Sequence, residues 1–282
     1  MILFATCRDY PEPTPSLAAL LQALSRRGVE ASLRIWTDTP IETFAAADLV
    51  LPICCWDYHA QPQRFADWID ALDGRGTRLV NDAEVLRWNL RKTYLLEMAA
   101  DGLAIPKTVH LPQTSAEAIE ARMCREGWDR AILKPVSGQS GFGVRKLELD
   151  RRPEWSLEGY SGGEALLQAF QSDIGALGET TLTFIDGVFS HAIRRRLKPG
   201  EWRANLQYGA TPEAFDPPPE VVEAARLYLD AAPQPPVYAR VDGLARADGF
   251  MLMELELIEP YLYFEFVPGR AERMAQALVS RL

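Results

Sequence analysis

Residues 237–260, VYARVDGLARADGFMLMELELIEP, decide how this chain folds and where its chemistry sits. VYARVDGL and FMLMELELI read as two β-strands joined by the turn signal Ala247-Asp248-Gly249. A three-residue hairpin loop with Gly in the left-handed position pairs Arg246 with Phe250. On that register Asp242 lies opposite Glu254, and Arg240 opposite Glu256. Residues two apart on a strand share a face, so all four project to one side. Cross-strand neighbours sit roughly 5 Å apart at their β-carbons. Asp242, Glu254 and Glu256, with Glu259 close behind, thus form an acidic ledge in an apolar, strand-like segment. Unpaired negative charge is costly there, so the acids are expected to face a cation. Oxygen-only ligation beside phosphate is how magnesium is usually held. The competing reading is a half-solvated sheet face that happens to be acidic.

A second stretch, ILKPVSGQSGFGVRKLEL at 132–149, sets a glycine-rich loop between two short strand signals. Gly138, Gly141 and Gly143 let backbone amides approach an anion closely. The loop is neither the phosphate loop ending in Gly-Lys-Ser/Thr nor the dinucleotide fingerprint, since a strand follows where those motifs place a helix. It reads as a flap between two strands, with Lys134 where strand meets loop and Pro135 setting the exit. Hairpin turns use the same residues, and that is the bland alternative. A third stretch, RRRLKPGEWRANLQYG, concentrates Arg194, Arg195, Arg196, Lys198 and Arg203 in a chain of net charge −9. Local cations in an acidic protein bind anions or pair with its own acids, and a solvated basic edge is the other reading.

Taken in order, WNLRKTYL, ILKPVSGQSGFGV, EALLQAF, GETTLTFIDGVFSHAIRRR, GEWRANLQYG and ARVDGL…LMELELIEP resemble the ATP-grasp superfamily of carboxylate–amine ligases across residues 88–265. Within it the chain is most similar to the glutathione-synthetase-like branch and to the ligases typified by the cyclo-ligase of cycloserine biosynthesis. The resemblance implies ATP as cosubstrate and one or two Mg2+ ions, with Mn2+ as a substitute. It assigns Lys92 and Lys134 to the α- and β-phosphates and the loop Ser137, Gly138, Gln139, Ser140, Gly141 to Gly143 to a cover over the triphosphate. Gln168, Ala169 and Phe170 fall at the adenine pocket, and Glu179 at the adenine or ribose. Arg203 and Asn205 match residues that reach the γ-phosphate and the reacting carboxylate; Asp242, Glu254 and Glu256 match the metal ligands. Many relatives carry Asn at the last of these positions, so Glu256 adds a negative charge. The implied reaction is ADP-forming: a carboxylate attacks the γ-phosphate, and an amine then displaces phosphate from the acylphosphate. A kinase that stops at phosphorylation and a non-catalytic ATP-binding module are the alternatives.

Residues 1–87 alternate strand signals (ILFAT, ASLRIW, DLVLPI, RLV) with two amphipathic helices that end at Gly28 and Gly74, the pattern of a parallel sheet covered by helices. Ligands of such sheets sit beyond the strands' carboxyl ends, where CRDY and CCWDYH bring Arg8, Asp9, Trp56, Asp57 and Tyr58. These residues form a substrate wall, or else Trp56 and Tyr58 are core and Asp57 a cap. Relatives carry an Arg-Ser-Thr-like sequence where this chain has Pro52-Ile53-Cys54-Cys55. A helix carrying Lys92 is expected over Asn89–Gly102. The expected organisation is an α/β parallel-sheet domain (1–87) followed by an α+β ATP-grasp domain of two lobes, 88–163 with the flap and 164–282 with the adenine pocket and metal site.

Composition sets the outer bounds. The 282 residues are 48% hydrophobic and 24% charged, ordinary for a globular protein. Acidity argues against a nucleic-acid partner, and no apolar run is long enough to span a bilayer. The start, MILFATCRDYPEP, has no basic lead, so a cytoplasmic protein with free cysteines Cys7, Cys54, Cys55 and Cys124 is expected. The three histidines stand in no Ser–His or Cys–His arrangement; His191, on the SHAIRRR strand, faces the site or packs structurally. The expected substrate is a small amino-acid-like molecule, and a homodimer is the habit of relatives.

Overall fold

The computed structural model describes residues 1–160 and 162–282. It begins with a three-stranded parallel sheet of order β2-β1-β3, from β1 (Ile2–Thr6), β2 (Ala31–Ile35) and β3 (Leu49–Cys54). Every residue of β1 is buried, as expected of a central parallel strand covered on both faces. Ile2 and Phe4 pack on α1 (Pro15–Arg26) and α9 (Arg270–Val279). Leu3 and Ala5 pack on the opposite side with α3 (Pro62–Asp73) and Phe44 of α2 (Ile41–Ala45). Thr14 caps α1 by accepting from the Leu17 N–H at 3.3 Å, with Pro15 in the first turn. In α9, Ala271, Met274, Ala275 and Leu278 recur at helical spacing and are buried, which ties the chain's last helix to its first sheet.

RLV does not become a fourth strand. Val50 donates to Arg78 O and Val80 donates to Val50 O, making a single bridge. The next rung needs an N–H at position 52, and Pro52 has none. The expected helix over Asn89–Gly102 is also interrupted. α4 (Ala83–Asn89) and α5 (Tyr94–Ala100) flank a turn that holds Lys92, whose N–H donates to Val136 O at 2.7 Å. Asn89 adds a second anchor, donating to Leu255 O and accepting from Leu257 N, both at 2.9 Å.

The central sheet is antiparallel, in order β4-β7-β5-β6, from β4 (Thr108–Leu111), β5 (Arg130–Pro135), β6 (Arg145–Glu148) and β7 (Ala165–Ala169). It packs on α6 (Ala116–Glu126) through Ile119 and Met123. β7 pairs with both β4 and β5 and so belongs to the central sheet. After α7 (Ile174–Leu177), the last sheet runs β10-β9-β8-β11-β12, all antiparallel. Its strands are β8 (Glu179–Ile185), β9 (Val188–Arg196), β10 (Thr211–Phe215), β11 (Tyr238–Arg246) and β12 (Gly249–Glu256), with α8 (Pro219–Arg226) packed beside them.

The β11–β12 hairpin differs from expectation in a compensating way. Its loop is two residues, since Arg246 pairs with Gly249 and Ala245 with Phe250. Gly249 adopts φ +137°, where a side chain is strained. A bulge after Asp242 then inserts Met253 as the extra residue, so Asp242 still faces Glu254 and Arg240 still faces Glu256. Among the described residues no helix is long and apolar enough to cross a membrane.

Candidate active site

The acidic ledge forms on the shared face of β11 and β12. Its nearest cations are the chain's own. Arg240 Nη2 pairs with Asp242 Oδ2 at 2.9 Å and also with Glu256. Arg195, from β9, sets Nη2 2.7 Å from Glu179 Oε2 and 2.6 Å from Asp242 Oδ2. Lys92 pairs with Glu254. The three expected metal ligands are thus gathered in one place, but with guanidinium and ammonium groups between them. Among the described residues no three His, Cys, Asp or Glu side chains stand in a metal-holding group.

The charges do not cancel. Glu179, Asp242, Glu254, Glu256 and Glu259 face Lys92, Lys134, Arg195 and Arg240, five carboxylates to four cations. Burial opposes ionisation of Asp242, but Arg240 and Arg195 hold it below the usual carboxylate range. Burial likewise opposes Glu254, and Lys92 and Lys134 bring it down. Glu256 stays well above the ordinary range, because burial with Asp242 and Glu254 outweighs Arg240. Glu179 is raised mainly by burial. Burial lowers Lys134 to about 8, while burial of Lys92 is more than offset by Glu254.

A cavity lies between the central and last sheets. One end is apolar, walled by Ile132, Val144, Phe170, Ile174 and Met253; the other carries Lys134, Glu179, Arg195, Arg203, Asn205, Asp242, Glu254 and Glu256. Of the flap from Ser137 to Gly143, Gly141 stands in the cavity wall. Gly143 sits at φ +73°, and a β-carbon there would meet Pro135 Cγ at 2.9 Å. A β-carbon on Gly138 would meet the Pro135 ring at 3.6 Å. Gln139 ties the flap to the first domain by donating to Trp56 O, and Gln207 donates to Ser140 O.

Two expected adenine-pocket residues point elsewhere. Gln168 is fully buried, and its amide donates to Thr108 Oγ1 at 2.9 Å inside the central sheet. Neither Gln168 nor Ala169 lines the cavity, whereas Phe170 and Gln171 do. Arg203 is held by Glu201 through a fork of 3.0 and 2.9 Å, and its guanidinium lies 3.5 Å from the Tyr208 ring centroid. That pairing pulls Glu201 down to about 2.

A second, larger cavity opens on the side of the first domain. Tyr10, Trp56, Glu259, Tyr261 and Tyr263 line it, together with Gln139, Ser140 and Arg240. Arg195, Asn205 and Glu256 belong to both cavities, so the two adjoin at these residues. Of the expected substrate wall only Trp56 is present. Tyr58 is buried and stacked on Phe65 at 5.0 Å, Asp57 accepts from Trp36 Nε1 at 2.6 Å, and Arg8 pairs with Asp38 on the surface. His191 is structural: Nε2 contacts Leu262 O at 2.7 Å, and burial lowers the ring to about 4. Glu201 is the residue that sequence reasoning leaves without a role; it sets Arg240 opposite Glu256 and groups Arg195 with the local cations without a named partner. For Arg195 the signal was available, because period-two alternation sets it opposite Arg194 and Arg196. Those two instead stack on Phe215 and pair with Glu213.

A family model described as D-cycloserine synthetase DcsG, N-terminal domain, matches residues 2–81. The cycloserine biosynthesis protein DcsG of Streptomyces lavendulae is 31% identical over 292 residues, covering 97% of this chain and 94% of its own length. This chain belongs to the D-cycloserine synthetase family of ATP-grasp ligases. A crystal structure of D-cycloserine synthetase DcsG matches it at a TM-score of 0.87 and 27% identity, over 100% of this chain and 99% of that one. Glutathione synthetase of Prochlorococcus marinus (strain MIT 9313) is 26% identical over 302 residues, 95% of this chain and 92% of its own. D-alanine–D-alanine ligase from Bacillus anthracis complexed with ATP shares the fold, with a TM-score of 0.67 at 15% identity over 99% and 96% of the two chains.

The chain is therefore an ATP-dependent carboxylate–amine ligase that forms C–N bonds. ATP-grasp ligases use ATP and Mg2+; the ligase PsnB has been solved with a minimal precursor, Mg and ADP. The donor set of this ATP-grasp chain fits such an ion. Its acids offer only oxygen, they outnumber the local cations, and Glu256 is held up by burial and by the neighbouring Asp242 and Glu254.

Proposed function

We propose that the cavity between the central and last sheets takes ATP and the larger cavity an amino-acid-like carboxylate, with phosphoryl transfer at their junction. Phe170, Val144, Ile132 and Met253 supply an apolar slot for the adenine, and the adjoining backbone reads its edge. Lys134 and Lys92 neutralise the α- and β-phosphates, and the flap amides from Ser137 to Gly143 cover the chain of phosphates. Asp242, Glu254 and Glu256 would hold one or two Mg2+ ions, for which Mn2+ is a substitute; when bound, the metal screens repulsion between triphosphate and carboxylate. Lys92 then moves from Glu254 toward phosphate.

Arg203 and Asn205 place the γ-phosphate and the incoming carboxylate. Glu201 and the Tyr208 ring keep the Arg203 fork oriented, which is pre-organisation of the kind such transfers depend on. One carboxylate oxygen bonds to the γ-phosphorus as the bond to the ADP oxygen breaks. An amine next attacks the acyl carbon, phosphate leaves, and the amide forms with loss of a proton. The name of the DcsG relative makes an intramolecular closure the first version to test, with ligation of two molecules as the second.

The observation that carries this reading is the sharing of Arg195, Asn205 and Glu256 by the two cavities. The test is ADP release from MgATP against a panel of amino acids, with hydroxylamine present to trap an acylphosphate as hydroxamate. Substrate-dependent ADP with hydroxamate supports it. ADP without hydroxamate or amide indicates a kinase, and nucleotide binding without turnover on any acid indicates a binding module.

A further inference from the structure

The segment that joins the central sheet to the last one, Phe170 to Asp173, is held from both sides. On the central side, the Arg130 guanidinium and the Lys146 ammonium lie 5.0 and 5.6 Å from the Phe170 ring centroid, contacts that restrain the ring. On the other side stands Arg246, near the tip of the β11–β12 hairpin. It grips Asp173 through a fork, Nε to Oδ2 at 2.6 Å and Nη2 to Oδ1 at 2.9 Å. Nη2 also donates to Gln171 Oε1 at 2.9 Å, and Nη1 contacts Met251 Sδ at 3.2 Å. Every nitrogen of this guanidinium therefore has a partner.

These contacts decide which way the Gln171 amide points. A guanidinium carries donors and no acceptor, so the amide atom that faces Arg246 is the oxygen. The nitrogen is turned to the other side, where it donates to Ala169 O at 3.0 Å. Reversing the amide would set its nitrogen against the Arg246 donors and its oxygen against Ala169 O, with both hydrogen bonds lost. An amide nitrogen has two hydrogens. Among the described residues, Ala169 O is the one protein acceptor that Gln171 Nε2 meets, which leaves its second hydrogen for a ligand. Gln171 lines the cavity proposed for ATP, at the apolar end beside Phe170 and Ile132, whereas Arg246 is not in that wall.

We propose that Gln171, its amide oriented by Arg246, donates to N1 of the adenine ring and makes this enzyme select ATP over GTP. Adenine N1 carries a lone pair. Guanine in the same pose presents N1–H, a donor against a donor, and one of the two is left unpaired. Gln171 is a specificity residue in this scheme and Arg246 a positioning residue, and neither takes part in phosphoryl transfer. The inference rests on the reading that this cavity takes ATP, and it deepens that reading by naming the side chain that tells one purine from the other.

The experiment measures Kd by calorimetry for magnesium AMPPNP and magnesium GMPPNP, using the full chain as wild type, Gln171→Ala, Arg246→Leu and the double variant. Wild type should bind AMPPNP at least ~10-fold more tightly than GMPPNP. Gln171→Ala should weaken AMPPNP about 5- to 10-fold and bring the two nucleotides within about 2-fold of each other. Arg246→Leu frees the amide to turn its oxygen toward guanine N1–H, so the preference for AMPPNP should fall about 10-fold, with GMPPNP binding more tightly than in wild type. The double variant should show the selectivity of Gln171→Ala alone, because Arg246 acts through that amide. Equal weakening of both nucleotides in Arg246→Leu, the mark of a structural role only, overturns the proposal, and so does an unchanged ratio in Gln171→Ala. Those results leave the ATP reading standing if Lys134→Met, at the polar end of the same cavity, weakens AMPPNP. An unchanged Kd in Lys134→Met overturns the cavity assignment, and this inference with it. If thermal melts show Arg246→Leu unfolded, Arg246→Lys, which keeps the charge and lacks the fork, takes its place, and the ratio in that variant and in Gln171→Ala decides.

Discussion

The pair formed by Lys92 and Glu254 offers a quantitative test of the ledge. Lys92 is carried by the turn between α4 and α5, and its side chain is 12% exposed against 30% for Glu254. Replacing Lys92 with Met removes the nearer of two cations that hold Glu254 ionised, Lys134 being the other. Truncating one partner of a buried pair costs about 3–5 kcal/mol, because the remaining charge is stranded. Partial exposure of Glu254 and the field of Lys134 put the expected loss near the lower bound, about 3 kcal/mol. Glu254→Gln strands Lys92 in the same way. The double variant Lys92→Met/Glu254→Gln strands neither group, so its loss should fall short of the sum by about 2 kcal/mol. Urea unfolding of the four proteins at neutral pH measures this coupling. Additivity within about 0.5 kcal/mol would refute the argument, since independent sites behave that way. All three variants should lose MgATP-dependent ADP release, because Glu254 lines the cavity proposed for the nucleotide and Lys92 is its ion-pair partner.

Three further outcomes follow from other parts of the structure. Gly143→Ala forces a side chain to φ +73° and against Pro135; it should cost about 1–2 kcal/mol and raise the KM for ATP, whereas an unchanged KM would mean the flap does not touch nucleotide. Arg203→Lys loses the Glu201 fork and the Tyr208 stack, so kcat should fall at least ~10-fold with the melting curve little changed; a normal kcat in steady-state assays removes Arg203 from the site. For His191, burial lowers the ring from 6.5 to about 4, so the unfolded chain binds a proton that the folded chain refuses between these values. Its contribution is fully present above pH ~6.5 and falls by about 3 kcal/mol as pH drops toward 4; a His191→Gln variant whose urea midpoints track wild type across that window contradicts this.

Much of the architecture was legible because burial imposes period on sequence. ILFAT, ASLRIW and DLVLPI became the parallel sheet, and the helix ending at Gly28 covers it. The exceptions come from single backbone groups whose partners lie far along the chain. Pro52 ends the ladder that RLV would have joined, and Lys92 leaves the helix because its N–H is taken by Val136. The hairpin shows a different limit. Turn residues indicated a loop but not its length, and a bulge at Met253 restored the pairing of Asp242 with Glu254.

The candidate site was legible as a set of charges and not as a set of pairs. Sequence supplied the acids, the lysines and the glycine flap, but pairing depends on which strand edges meet. Arg195 reaches Asp242 only because β8 lies between β9 and β11. Gln168 turns into the central sheet because β7 is flanked on both sides. Glu259, Tyr261 and Tyr263, which follow the acidic strand, read as pocket-lining residues or as aromatic packing, and they line the larger cavity because the chain returns there to the first domain.

A crystal structure of this enzyme with AMPPNP and Mg2+ tests the central claim most directly. The account predicts the purine against Phe170 and Met253, the triphosphate under the flap, and the γ-phosphate at the junction of Arg195 and Asn205. Nucleotide bound beside Glu259 and Tyr261, or on a surface away from both cavities, would contradict it.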